Sequence, residues 1–399
     1  MMKVIITLSD ETRPAAAGRP AAGSPQPDTP VNREEDCVFA RKAAVTKEAV
    51  VEALRGVLDP ELHRSIVELN MVKEVTINDG AVRIDALLTI SGCPLRETIV
   101  DSIKAKVQTL AGVERVDVQL GVMSQEQRQT LIGQLRPGPQ KQSPLLSPTS
   151  TTRVLVVASG KGGVGKSTVT TNLAAALSRR RRITGIVDAD VYGFSIPHML
   201  GVKGKPTVID QMIIPLEREG IRVMSIGFMV DENEAVIWRG PMLHKTVTTF
   251  LSEVYWGDTQ DLLIDLPPGT GDVSLSIAQT LPKAEMLIVT TPQPAAANVA
   301  YRAARMAEKV NMPVVGVIEN MSYYVSAPGA APAYIFGEGG GARLAGMIGA
   351  PLLGQIPLDP AIREGGDRGQ PVALVDPDAP SSQVFYQIAD ALLGGRPTH

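Results

Sequence analysis

Apolar and polar positions change rhythm once along this chain, near Arg153. Before that point the periodic stretches are short and two-sided. TKEAVVEALRGVL (46–58) has apolar residues at helical spacing and is stopped by Asp59-Pro60. EVTINDGAVRIDALLTI (74–90) alternates as two strands about a turn at Asn78-Asp79-Gly80, a strong short hairpin signal. GCPLRETIVDSIKAKVQTL (92–110) predicts a helix with Pro94 near its start, and VERVDVQL (113–120) predicts another strand. The order α-β-β-α-β predicts a small α/β sandwich over 46–125. From Arg153 the strands become continuous apolar runs: RVLVVAS, ITGIVDAD, DLLIDLPP, EMLIVTTP, VVGVIEN and PLLGQIP. They alternate with helical stretches, which predicts an α/β fold with a doubly wound, mostly parallel sheet over 153–394, helices covering both faces.

Two stretches lack either rhythm. Residues 11–36 are rich in Pro, Ala and Gly with almost no large apolar side chain, too little to offset ordering entropy, so 1–45 reads as a disordered arm. RPGPQKQSPLLSPTSTT (136–152) is proline-rich, and 126–152 is expected to be a flexible linker. The 399 residues, 44% of them hydrophobic, suffice for two domains, and a net charge of −3 gives no electrostatic case for a nucleic-acid partner. No apolar run approaches the roughly 18 residues of a membrane span. The opening MMKVIITLSD is short for a secretory segment, so a cytoplasmic location without a membrane partner is expected. The two cysteines, Cys37 and Cys93, form no C-x-x-C pair, which argues against a disulfide scaffold or a self-contained zinc site. His63, His198, His244 and His399 are far apart and read as solvated or structural.

The chemistry concentrates in RVLVVASGKGGVGKSTVTTNLAAAL, a buried strand, a glycine loop and a helix. Gly160, Lys161, Gly162, Gly163, Val164, Gly165, Lys166, Ser167 and Thr168 satisfy the P-loop pattern in its required context. Glycines let successive N–H groups turn inward as an anion nest, and the helix N-terminus adds partial positive charge. Lys166 is expected to neutralise the β/γ-phosphates of ATP and the Ser167 hydroxyl to ligate Mg²⁺. Asp188 and Asp190 close one strand and Asp265 another, at the carboxyl edge where open α/β sheets bind ligands. An aspartate in that place also serves as a helix cap or turn former.

Lys161 exceeds the plain P-loop. KGGVGKST resembles the deviant P-loop of the MinD/ParA/nitrogenase-iron-protein class, which implies a lysine reaching the partner subunit's nucleotide in an ATP-held homodimer. DADVYGFSIP, WRGPMLHK, DLPPGTGD, ENMSYY, IFGEGGG and GQIPLDPAIREGGDRGQPV together resemble the Mrp/ApbC family of iron–sulfur cluster carrier ATPases, with Phe194 where that family usually has proline. VLDPELHRSIVELNMV and TISGCPLRETI resemble the PaaD-like domain often fused ahead of it. The resemblance implies catalytic roles for Lys161, Lys166 and Asp190, the last orienting the attacking water. It implies Mg²⁺ held by Ser167 and, through water, Asp265, with Asp188 beside the metal and Asn320 reading the adenine. It further implies a [4Fe–4S] cluster between subunits, delivered to apo iron–sulfur clients or assembly factors.

In that family a C-x-x-C between the aromatic pair and IFG holds the cluster. Here SYYVSAPGAAPAYIFG (322–337) keeps the spacing but puts Ser326 and Gly329 at the two cysteine positions. Cys93 is the remaining candidate thiol in an ordered domain. It stands at a strand-to-helix junction where helix amides would lower its pKa, or is a small buried residue closing the turn. Arg179 to Arg182 read as a solvated helix end. Two functions stay open: an ATP-hydrolysing iron–sulfur carrier with altered ligands, and a MinD/ParA-like ATP-switched regulator or scaffold that handles no metal. The short, non-basic tail SSQVFYQIADALLGGRPTH speaks against a membrane-bound form of the second.

Overall fold

The computed structural model describes residues 45–136, 145, 147, 150–190, 193–229, 240–269, 272–281, 283–327 and 329–394. Apart from Val45, the predicted disordered arm, with Cys37, lies outside them. The N-terminal region starts with α1 (Lys47–Arg55), capped by the Thr46 hydroxyl on the amide of Ala49. β1 (Val72–Asn78) and β2 (Ala81–Leu88) pair antiparallel about Asp79 and Gly80, both at positive φ, as a two-residue hairpin demands. After α2 (Arg96–Val107), β3 (Arg115–Val122) pairs parallel to β2, giving the order β1-β2-β3. Burial alternates along β2, so one face of this sheet carries the core against α1 and α2.

α3 (Gln125–Leu135) corrects the linker expectation at its start. Ser124 and Gln127 form a reciprocal capping box, and Leu131 and Leu135 complete the small-domain core. The remainder of 126–152 is described only at 136, 145, 147 and 150–152.

The larger region begins with β4 (Arg153–Ser159), α4 (Lys166–Arg179), β5 (Thr184–Asp188) and α5 (Ile196–Leu200). A short hairpin follows, β6 (Thr207–Ile209) and β7 (Met212–Ile214), and then a second, β8 (Leu216–Arg218) and β9 (Ile221–Ser225). α6 (Gly240–Glu253), β10 (Asp261–Asp265), α7 (Asp272–Gln279), β11 (Glu285–Thr290), α8 (Pro294–Lys309) and β12 (Val314–Glu319) continue the alternation. It closes with α9 (Gly340–Ile348), β13 (Leu352–Gln355), α10 (Pro360–Asp367), α11 (Val372–Val375) and α12 (Pro380–Leu393). The sheet order is β13-β12-β11-β4-β10-β5-β9-β8, parallel except for β8 at one edge. β5 and β10 are buried at every position, as strands covered on both faces must be. Ala174, Ala175 and Ala176 let α4 lie close to its neighbours.

From Ala44 onward the two regions form one unit. Ile209, Met212 and Ile214 of the β6–β7 hairpin belong to the core of the small N-terminal region. Each is at most 2% exposed, and burying such side chains is worth roughly 1.5–3 kcal/mol apiece. Polar contacts frame the plug: Arg128 to Asp210 at 3.1 Å, Thr207 to Glu61 at 2.7 Å, and His63 to Glu217 at 2.8 Å.

Candidate nucleotide-binding site

The carboxyl ends of β4, β5, β10 and β12 converge on the glycine loop. Sheet order places β4 between β10 and β11, so the loop after β4 opens where the chain's direction of winding reverses, the usual ligand crevice of such sheets. Gly163 and Gly165 sit at φ 78° and 79°, which turns the loop so that α4 begins at Lys166 with its amides facing the crevice. A Cβ at Gly165 would lie 2.2 Å from Asn320 Nδ2, so no side chain fits.

Lys166 and Ser167 both meet one carboxylate. Lys166 Nζ and Ser167 Oγ each stand 2.6 Å from Asp265 Oδ2, and Thr170 Oγ1 donates to Asp265 Oδ1 at 2.8 Å. Asp190 lies 3.9 Å from Lys166 Nζ. Asp188 is fully buried, accepting from Ser225 Oγ at 3.0 Å and from the amide of Asp190 at 3.3 Å. Burial, and then the neighbouring charge of Asp265, push its carboxyl up to about 8 against the pull of Ser225 and Lys166. The buried carboxylates and the Ser167 hydroxyl are oxygen donors of the kind Mg²⁺ takes, one or two carboxylates with water and phosphate oxygens completing its shell, while Lys166 is placed to meet phosphate charge. Among the described residues no group of three or more His, Cys, Asp or Glu side chains is placed to hold a metal by itself.

Lys161 is exposed at the edge of the pocket that the loop forms, with its Nζ 3.3 Å from Gln293 Oε1. Asn320, 6% exposed, donates from Nδ2 to the carbonyl of Val164 at 2.9 Å. It lines a second cavity with Gly165 and Thr168, completed by His198, Met199, Pro357 and Leu358. Sequence reasoning missed these last four; GQIPLDP following a strand was the available signal. It also missed Glu319, fully buried, which accepts from Ser322 Oγ and Gln355 Nε2 at 2.8 Å each and from the amide of Gly341 at 2.5 Å. That network fixes the turn carrying Asn320.

The other candidates lie elsewhere. Ser326 and Gly329 are exposed in a hairpin closed by reciprocal 2.8 Å bonds between Tyr324 and Ala333. Cys93 is 6% exposed, and burial raises its pKa, overriding the Leu95 amide; the expected lowering is reversed. The arginine run is not simply solvated: Arg180 pairs with Asp390 at 2.6 and 2.7 Å, Arg182 with Asp261 at 2.6 Å, and Arg179 with the carbonyl of Leu374.

A glycine loop between a central parallel strand and a helix, with lysine, hydroxyl and carboxylate in contact, defines a P-loop nucleotide-binding NTPase. Residues 150–393 match the family described as NUBPL iron-transfer P-loop NTPase, and 47–119 match one described as iron–sulfur cluster assembly protein. The chain belongs to the NUBPL iron-transfer P-loop NTPase family. It is 49% identical to the iron–sulfur cluster carrier protein of Mycobacterium bovis over 352 residues, 86% of this chain and 92% of that one. It is 41% identical to the protein of that name from Bacillus subtilis, over 83% and 93%. A nucleotide-binding protein of Archaeoglobus fulgidus, solved with ADP, aligns at 38% identity and TM-score 0.51 across 59% of this chain and 91% of its own.

Proposed function

We propose that this protein binds and hydrolyses ATP as a homodimer and uses that cycle to carry iron–sulfur clusters, which are its cargo, to client or assembly proteins. The observation that carries the reading is the convergence of Lys166, Ser167 and Asp265 within 2.6 Å under a glycine nest. Gly160 to Thr168 supply the amides that wrap the phosphates, and Lys166 neutralises the β/γ-phosphates. Ser167 and Asp265, with Asp188 alongside, would hold Mg²⁺, which would supply further charge neutralisation at the phosphate oxygens. Asp190, at the rim, orients the attacking water. Asn320 reads the base from the cavity beside Gly165. Lys161, exposed at the pocket's edge, supplies its cation in trans to a nucleotide in the second subunit.

The test separates binding from turnover. Lys166→Ala is expected to abolish both. Lys161→Ala is expected to bind nucleotide normally but to lose at least ~10²-fold in hydrolysis, within the ~10³–10⁵ that charges supplied in trans contribute elsewhere. Unchanged hydrolysis in Lys161→Ala would remove the trans role. A second reading, an ATP-switched regulator or scaffold without a cluster, draws on Ser326 and Gly329, neither of which can ligate iron as a thiolate does.

A further inference from the structure

The segment between Asp188 and Ser225 leaves the nucleotide site, enters the small domain, and comes back. On the way out Asp190 and Ser195 line the phosphate pocket, and His198 and Met199 of α5 line the neighbouring cavity. At its far point Ile209, Met212 and Ile214 are buried in the small-domain core, with Thr207 on Glu61 and Asp210 on Arg128. On the return, Glu217 of β8 meets His63, and β9 ends at Ser225, whose hydroxyl donates to Asp188 at 3.0 Å. Both ends of the excursion are therefore fastened at one buried carboxylate beside the phosphate loop, and its tip is fastened in another hydrophobic core.

We propose that this excursion is a lever through which nucleotide occupancy is transmitted to the small N-terminal domain, which thereby becomes a nucleotide-regulated part of the ATPase. The inference rests on the nucleotide reading above. Two three-residue strands cannot hold a shape alone; β6 and β7 take theirs from the small domain on one side and, on the other, from Ile213, which is buried in the larger core and bridged to Val254. Close-packed cores transmit displacement rather than absorb it, so a shift of α5 cannot be absorbed at the hairpin without moving the three aliphatic side chains it plugs in. The element that receives the movement is chemically distinct. Thr207 grips Glu61, and Glu61 with the buried Asp59 lies within electrostatic reach of Cys93, the one described thiol. The lever thus acts on the loop whose carboxylates lie nearest in charge to Cys93. Any such coupling is reciprocal: a change in the small domain alters nucleotide affinity by the same factor.

The experiment uses the full chain carrying Cys37→Ser, so that a thiol reagent reports Cys93 alone. Its labelling rate and the hydrogen exchange of residues 47–122 are measured with and without a non-hydrolysable ATP analogue and Mg²⁺, while a fluorescent analogue measures binding in the same preparation. Saturation is expected to change the labelling rate by about fivefold or more, the scale of an ordinary coupling free energy. Met212→Ala and, separately, the milder Thr207→Val should cut that response to under about half while still binding the analogue saturably. Binding without any change in labelling or exchange overturns the lever and leaves the nucleotide site standing, as does an undiminished response in both variants. Failure of the parent chain to bind overturns the nucleotide reading and the lever with it.

Discussion

Gly165 shows how tightly single residues constrain the phosphate loop. Gly163 and Gly165 share a left-handed backbone, yet a Cβ at Gly163 meets nothing within 4 Å while one at Gly165 strikes the Asn320 amide. Gly163→Ala should therefore cost about 1–2 kcal/mol, the backbone penalty alone. Gly165→Ala should cost more than that by displacing Asn320, and thermal melts of the two variants side by side check the order. A Gly165→Ala variant no less stable than Gly163→Ala would show that the 2.9 Å Asn320–Val164 contact does not constrain the loop. The positions that sequence could identify at this scale are those whose chemistry is local. Lys166, Ser167 and Asp265 follow from a loop pattern and a strand end. Glu319 did not, because its partners come from residues 322, 341 and 355 and no spacing along the chain announces them. Cys93 misled for a related reason: a helix start suggests a lowered pKa, but the desolvation that decides it is set by packing.

At the scale of elements the β6–β7 hairpin is where the two regions depend on each other. Ile209→Ala removes a fully buried side chain from the small-domain core and is expected to cost about 2–5 kcal/mol, read as a drop in denaturation midpoint. The loss should appear as increased hydrogen exchange in β1 and β2 although residue 209 lies far along the sequence. His63 adds a pH dependence. Its hydrogen bond to Glu217 raises its pKa from 6.5, while burial and Arg222 oppose and Asp258 assists. The contact is thus complete below pH 6.5 and fades as pH climbs through the raised value. The pair is half exposed, so the effect stays below about 1 kcal/mol. Protection from exchange in the small domain, relative to the intrinsic rate at each pH, should fall modestly as pH rises above 6.5, and His63→Gln should flatten that profile. Helices and strands with strong periodicity were legible from sequence, from α1 to every parallel strand of the large sheet except β9. Residues 207–225 were not, since the three-residue strands β6, β7 and β8 carry too few positions for a period, and the five-residue β9 follows them directly. α3 was hidden differently: its capping box, Ser124 to Gln127, was present in the sequence, but the prolines that follow set the expectation for the whole stretch.

At the scale of the whole molecule, a P-loop nucleotide-binding site belongs to a chain of an iron-transfer family that has Ser326 and Gly329, and no cysteine, in its 322–337 segment. A [4Fe–4S] cluster needs four thiolates. Cysteines at 326 and 329 in each of two subunits would supply four across a two-fold axis, but this chain has only Cys37 and Cys93. Cys93 is buried with a raised pKa, so it is a poor ligand as it stands. Anaerobic reconstitution of the full chain is therefore expected to give little stable [4Fe–4S] absorbance. Ser326→Cys with Gly329→Cys should restore it, because both positions are exposed and the hairpin is already closed by the Tyr324–Ala333 pair. Gly329 has φ 83°, so the cysteine there costs about 1–2 kcal/mol of backbone strain, which an exposed loop can relax. A robust cluster on the unaltered chain that persists in Cys93→Ala would show that ligands come from elsewhere and would uphold the carrier reading without these positions. No cluster on the unaltered chain, together with ATP hydrolysis that proceeds normally and a cluster on the double variant, would favour the metal-free switch built on a carrier's frame. Retained hydrolysis in every form of the chain would place the divergence of function in this one hairpin rather than in the nucleotide site.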